Sequence, residues 1–198
     1  MNLPNKITIS RIILAFIILI LIGMDTHILG FNWPVYLIAG RITLKLNYII
    51  AGVLFVIASL TDMLDGKIAR KYNMVTDFGK VMDAIADKVL VNGLLILLAY
   101  NRDISVIVPV VIITRDIFVD SIKMVSGSKG KVVAASIAGK IKTACMMVGL
   151  TLVLFSNLPF ELFGIGVGQG LVLLATCISV YSGIEYFMVN KEFVFGDI

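Results

Sequence analysis

The sequence predicts an all-α integral membrane protein of six transmembrane helices, with the N- and C-termini both cytoplasmic. Three observations predict it. Of 198 residues, 59% are hydrophobic and only 15% charged, and the mean hydropathy is +1.02; ordinary soluble domains are about 45–50% apolar and about 25% charged. Six apolar runs approach the roughly 20 residues that a bilayer-spanning helix needs. Basic residues gather in alternate connections between those runs. This composition excludes a soluble globular enzyme, a disordered chain and a disulfide scaffold. The two cysteines, Cys145 and Cys177, sit in apolar runs and read as small hydrophobes. A net charge of +4 is too modest for a nucleic-acid footprint, so the partner predicted from composition is the lipid bilayer.

The first span runs from Thr8 to Gly23, and the second from about Leu46 to Arg70. The third covers Thr76 to Tyr100, the fourth Ile104 to Val125, the fifth Val132 to Phe155 and the sixth Phe163 to Val189. No small-x-small cleavage site follows the first run at Gly23-Met24-Asp25, so it reads as an uncleaved helix. The segment from Phe31 to Ile38, with Trp33, Pro34 and Tyr36, suits an interfacial position outside the membrane. Asn73 before Thr76, and Ser126-Gly127-Ser128-Lys129-Gly130, read as turns. No internal repeat or linker divides residues 1–198, which read as a single membrane domain.

Orientation follows from the cations. Lys6 and Arg11 flank the first span; Lys67, Arg70, Lys71 and Lys80 surround the turn between spans two and three; Lys123, Lys129 and Lys131 lie between four and five; Lys191 follows six. The opposite connections hold Arg41 and Lys45, then Arg102, then nothing basic from Ser156 to Leu162. The richer side is the cytoplasmic one.

Acids inside spans need a reason, because an ionisable residue at the centre of a membrane helix costs about 2.5–3.5 kcal/mol on insertion scales. Asp62 and Asp65 are three apart on the second span, and Asp83 and Asp87 four apart on the third. Each pair therefore shares one helical face. The short connection between them predicts an antiparallel hairpin that brings both pairs together near the cytoplasmic surface. Four carboxylates on facing helices suit a hard cation, Mg2+ or Mn2+ rather than zinc, and such an ion would hold phosphate oxygens. The alternative is that the aspartates pair with Lys67, Arg70, Lys80 and Lys88 on solvated helix ends. Gly66, Ala69 and Gly79 keep the surroundings of the acids small, which suits close approach of a ligand or a neighbouring helix.

Written out, the pattern is Asp62-x-x-Asp65-Gly66-x-x-Ala69-Arg70, eight residues, Gly79-x-x-x-Asp83-x-x-x-Asp87. It resembles, without a departure, the signature of the CDP-alcohol phosphotransferase family, and the six-helix pattern extends the resemblance over essentially the whole chain. The resemblance implies a multi-pass protein of the cell membrane, a homodimer, with its active site facing the cytoplasm. It implies that Asp62, Asp65, Asp83 and Asp87 bind one or two Mg2+ or Mn2+ ions, and that Asp87 is also the catalytic base. Gly66, Ala69, Arg70 and Gly79, with Asp62 and Asp65, would line the CDP portion. The implied chemistry is attack of an alcohol on the lipid-side phosphorus of a CDP-linked donor, with CMP leaving.

Two further stretches resemble the branch of the family that acts on CDP-diacylglycerol and glycerol 3-phosphate in phospholipid biosynthesis. They are Leu3-Pro4-Asn5-Lys6-Ile7-Thr8 with Arg11, and Gly139-Lys140-Ile141-Lys142-Thr143; Arg115-Asp116 resembles that branch's Arg-Glu pair. Asn5 and Thr8 then contact the nucleotide, or cap the first helix. Glycerol 3-phosphate is a small dianion that needs cations, and Arg115, Lys140 and Lys142 supply them on spans four and five; the alternative for the lysines is anchoring at the membrane surface. His27 reads as a surface residue. Gly166-x-x-x-Gly170 reads as close helix packing, within the chain or between the two chains of a dimer. Other acceptors, as in phosphatidylserine, cardiolipin or phosphoinositol-type synthases, an intramembrane prenyltransferase and a cation transporter remain as alternatives.

Overall fold

A computed structural model describes residues 3–24, 33–40, 42–71, 76–128 and 136–195. Within these, six helices form the bundle: α1 (Leu3–Gly23), α2 (Leu46–Lys71), α3 (Asp77–Tyr100), α4 (Ile107–Ser128), α5 (Ile137–Leu154) and α6 (Val167–Phe195). All six follow the apolar runs of the sequence. Between α1 and α2 lies a short antiparallel hairpin, β1 (Val35–Ile38) and β2 (Ile42–Lys45), with Val35 opposite Lys45 and Ile38 opposite Ile42. Ala39 and Gly40 turn it with φ of 52° and 67°. The sequence predicted only an interfacial loop there; two four-residue strands are too short to stand out from apolar loop residues. His27 lies outside the described residues.

The bundle has two halves. In the first, α1 packs against both α2 and α3; in the second, α6 packs against both α5 and α4. Contacts of α2 with α5, and of α3 with α4, join the halves. One continuous core runs through them, from Ala15, Ile18 and Ile22 of α1 through Phe55, Leu90, Leu94 and Leu98 to Leu150, Leu154 and Val172. The predicted hairpin of α2 and α3 is antiparallel, since the start of α2 meets the end of α3: Tyr48 donates to Asp103 Oδ2 at 2.5 Å and accepts from Asn101 Nδ2 at 2.9 Å. The two helices do not chiefly face each other, however. Their shared neighbour is α1, whose end is tied to α2 where Asn47 Nδ2 donates to the Leu21 carbonyl at 3.1 Å.

The outward faces are apolar. Ile13, Phe16, Ile17 and Ile20 stand out of α1 at helical spacing, Val53, Ile57 and Leu60 out of α2, and Leu173, Val180 and Ile184 out of α6. Among the described residues two helices are long and apolar enough to cross a membrane, Ile137–Leu154 and Val167–Lys191, while Ile7–Gly23 and Leu46–Asp62 are shorter apolar stretches. The charged residues at one end of α2 and α3 cut their apolar stretches short. Together these features make the protein membrane-associated.

One boundary differs from expectation. Ser126-Gly127-Ser128 is the last turn of α4 rather than a loop, and Ser126 is buried against the bundle. Within the chain the close-packing glycines are Gly149 and Gly168, which let α5 and α6 touch. A Cβ on Gly149 would lie 2.9 Å from Val172 Cγ2 and 3.1 Å from its backbone nitrogen, and one on Gly168 3.0 Å from Leu152 Cβ, whereas Gly170 faces open space. Backbone atoms cannot step aside as a side chain can. Gly149→Ala is therefore expected to cost about 1–3 kcal/mol and to lower the unfolding temperature in detergent, while Gly170→Ala leaves it unchanged.

Candidate active site

One end of the first half carries the acids. Thr76 caps α3 with extended backbone (φ −115°, ψ 152°), its hydroxyl accepting from the Gly79 amide at 3.0 Å. This cap fixes where the helix begins and so which face Asp83 and Asp87 share. Gly79, expected at the nucleotide, is buried in that first turn. On α1, Thr8 and Arg11 are one turn apart and both buried, at 2% exposure each. Thr8 Oγ1 donates to Asp83 Oδ1 at 2.7 Å. Arg11 Nη1 donates to Asp62 Oδ1 and lies 3.8 Å from Asp83 Oδ1 and 3.6 Å from Asp87 Oδ1.

Asp62, Asp83 and Asp87 are thus brought together, as predicted, although they sit on two helices and the third helix completes the cluster. Each keeps an open side: their side chains are 35%, 44% and 50% exposed. Asp65, Gly66, Ala69 and Arg70 lie on the helical backbone of α2, but their side chains, like that of Asn5, fall outside the described residues. Of the cations weighed against a metal, Lys88 turns to Asp120 of α4 instead, and the side chains of Lys67 and Lys80 are again not described.

Arg11, read from the sequence as a flank of the first span, is also a buried partner of the acids. A lysine or arginine that only anchors a helix reaches for water; this side chain is buried to 1% exposure within the acid cluster. Its signal was present in the sequence as a spacing: Thr8 and Arg11 stand on one face of α1. What the sequence could not supply was the helix that this face meets.

The donors are carboxylate oxygens of the kind Mg2+ and Mn2+ take, drawn around one guanidinium nitrogen at up to 3.8 Å; among the described residues no group of three acids is closed tightly enough to hold a metal ion as it stands.

The second half carries the cations. Arg115 of α4 donates from Nε to the Ser179 carbonyl at 3.2 Å, from Nη2 to Ser182 Oγ at 2.7 Å and from Nη1 to Asp116 Oδ1 at 3.0 Å. Lys142 of α5 donates to both oxygens of Asp116, at 3.0 and 3.2 Å. Asp116 therefore sits between two cations, and all three side chains are at most one-fifth exposed. Ser136 serves twice, capping α5 through the Gly139 amide at 3.1 Å and meeting Ser182 Oγ at 3.1 Å. Gly183 of α6 leaves room for the arginine stem: a Cβ there would come within 3.1 Å of Arg115 Cγ.

A single cavity of about 670 Å³ opens between the halves, lined by Asp62 on one side and by Arg115, Lys123, Ser136, Lys140, Lys142 and Tyr186 on the other. All three predicted basic residues and one of the predicted acids border it together. Lys123, Ser136 and Tyr186 were not anticipated as lining residues; Lys123 lies 5.7 Å over the Tyr186 ring.

The profile of the family described as CDP-alcohol phosphatidyltransferase matches residues 1–181. The chain belongs to this family. It is 39% identical over 191 residues to a CDP-diacylglycerol–glycerol-3-phosphate 3-phosphatidyltransferase of Bacillus subtilis (strain 168), covering 96% of both chains. A relative of the same name from Rickettsia bellii is 31% identical over 193 residues, covering 97% of both. One from Mycoplasma genitalium is 39% identical over 149 residues, which is 75% of this chain and 63% of the relative. The chain thus matches two of the three relatives over nearly their whole length.

Asp116 is the counter-charge for two cations at once, so Asp116→Asn should lower the unfolding free energy by about 1.5–3 kcal/mol, seen as a lower unfolding temperature. Thr76→Ala should cost about 1 kcal/mol through loss of the cap.

Proposed function

We propose that the protein transfers a phosphatidyl group from CDP-diacylglycerol to glycerol 3-phosphate, giving phosphatidylglycerophosphate and CMP. The observation that carries this reading is the shared cavity: Asp62, one member of the acid cluster suited to a metal-bound diphosphate, borders the same space as a cationic cluster suited to a small phosphate dianion. The names of the relatives agree with it.

Glycerol 3-phosphate is held through its phosphate by Arg115, Lys140 and Lys142, charge-assisted contacts that also orient its free hydroxyl. Asp87, half exposed beside Asp83, takes the proton of that hydroxyl as its oxygen bonds to the lipid-side phosphorus. The phosphorus–oxygen bond to CMP breaks, and CMP leaves with the electron pair. Asp62, Asp65, Asp83 and Asp87 would hold one or two Mg2+ or Mn2+ ions, which supply neutralisation of the diphosphate and of the departing phosphate charge. Asn5, Thr8, Gly66, Ala69, Arg70 and Gly79 form the frame for the CDP portion. Thr8 does so while fixing Asp83, so it orients a ligand as well as lining the nucleotide site.

The chain acts as one domain in the cell membrane. Its six helices cross the bilayer with both ends cytoplasmic, and the protein works as a homodimer. Support for the bilayer comes from the apolar outward faces of α1, α2 and α6, and support for the orientation from the basic connections.

The deciding experiment is CMP release by the purified protein in detergent with CDP-diacylglycerol and Mg2+, comparing glycerol 3-phosphate with serine, inositol phosphate and phosphatidylglycerol. Release with glycerol 3-phosphate alone is expected; release with none sinks the transferase reading. Asp87→Asn should abolish turnover without unfolding the protein. Arg115→Ala should raise KM for glycerol 3-phosphate by about tenfold or more, the loss of a charge-assisted contact of about 1.5–3 kcal/mol, and leave KM for CDP-diacylglycerol nearly unchanged. Gly183→Ala, which crowds the arginine stem, should move the same constant in the same direction by less.

A further inference from the structure

We infer that Arg11 is the internal counter-ion of the acid cluster, a positioning residue that gathers the carboxylates before a divalent cation arrives and then gives up its place to that cation. The inference rests on the metal reading above and goes beyond it, since neither the acid motif nor the basic acceptor site includes this residue. Its guanidinium is buried to 1% exposure, and one nitrogen, Nη1, reaches Oδ1 of Asp62 on α2 and of Asp83 and Asp87 on α3. A guanidinium keeps its charge at every working pH. It can therefore act as a permanent stand-in for a cation.

Three carboxylates gathered around one locus without a cation repel one another. Arg11 removes that conflict in the metal-free protein. The locus cannot hold both positive groups, because a divalent ion and a guanidinium nitrogen on the same oxygens repel each other. Metal binding is then an exchange: the ion takes the Oδ1 atoms and Arg11 Nη1 moves off them. Thr8, one turn away and hydrogen-bonded to Asp83 Oδ1 at 2.7 Å, holds α1 to α3 while this happens. Two properties follow. Arg11 weakens metal affinity by competing, and it stabilises the metal-free fold that would otherwise depend on the metal.

The test uses the full-length protein in detergent micelles, with Mn2+ binding followed by electron paramagnetic resonance of the free ion and unfolding temperature measured in EDTA and in Mn2+. Arg11→Met keeps the length of the side chain and removes its charge. It is expected to bind Mn2+ about tenfold more tightly than the unsubstituted protein, to unfold at a lower temperature in EDTA, and to gain more from Mn2+ because the ion stabilises only the folded form. Arg11→Lys, with a point charge in place of the planar fork, should fall between the two on both readouts. A purely structural arginine would lower both unfolding temperatures equally and leave or weaken Mn2+ affinity, and that result overturns the inference. Should Arg11→Met fail to fold even with Mn2+ present, Arg11→Lys decides: tighter Mn2+ binding supports the inference and unchanged or weaker binding overturns it. If the unsubstituted protein binds no Mn2+, the metal reading itself falls and this inference with it; binding that Arg11→Met and Arg11→Lys leave unchanged sinks this inference alone.

Discussion

Three carboxylates from two helices direct their Oδ1 atoms at one guanidinium nitrogen on a third, and the geometry of the first half of the bundle serves that meeting. Charges of one sign cannot be gathered in an apolar bundle unless the opposite sign is built in with them. This is why α1, rather than a direct contact of α2 with α3, occupies the middle of the half. The cap at Thr76 sets the phase of α3, Thr8 ties it to α1, and the polar contacts of Asn47, Tyr48, Asn101 and Asp103 close the far end. Each of these fastens a helix whose drift would separate the carboxylates.

The second half repeats the logic with the signs reversed. Here a carboxylate, Asp116, stands between Arg115 and Lys142, and serine oxygens of α6 complete the coordination of the arginine. The two halves share no helix, and they are joined where α2 meets α5 and α3 meets α4, with one cavity bordered by both. The ion pair of Lys88 with Asp120 spans the same seam between α3 and α4. Division of the binding work between halves means that neither cluster has to tolerate the other's charge at close range.

The helices and the acid positions were legible because both are local signals: apolar runs of membrane length, and aspartates at spacings of three and four. The carboxylates at 62, 83 and 87 meet as that spacing implies. The burial of Arg11 among the acids was not legible because its charge also satisfied the rule for cytoplasmic flanks, and only the third dimension shows a buried partner. The pairing of Asp116 with Lys142 joins residues 26 apart on different helices, a relation no periodicity encodes. Within the chain, close contact of α5 with α6 is made by Gly149 and Gly168, which no spacing in the sequence singled out, because a spacing marks a helical face without saying what lies opposite. The hairpin of β1 and β2 escaped notice for want of length.

Asp116 and Arg11 give the protein a common property. Each stands opposite in sign to the site it occupies, as does the mobile ion on an exchange resin before loading. Each therefore offsets part of its site's charge from within. On the exchange inferred for Arg11, what an arriving ion displaces is a side chain tethered to the backbone and ready to return.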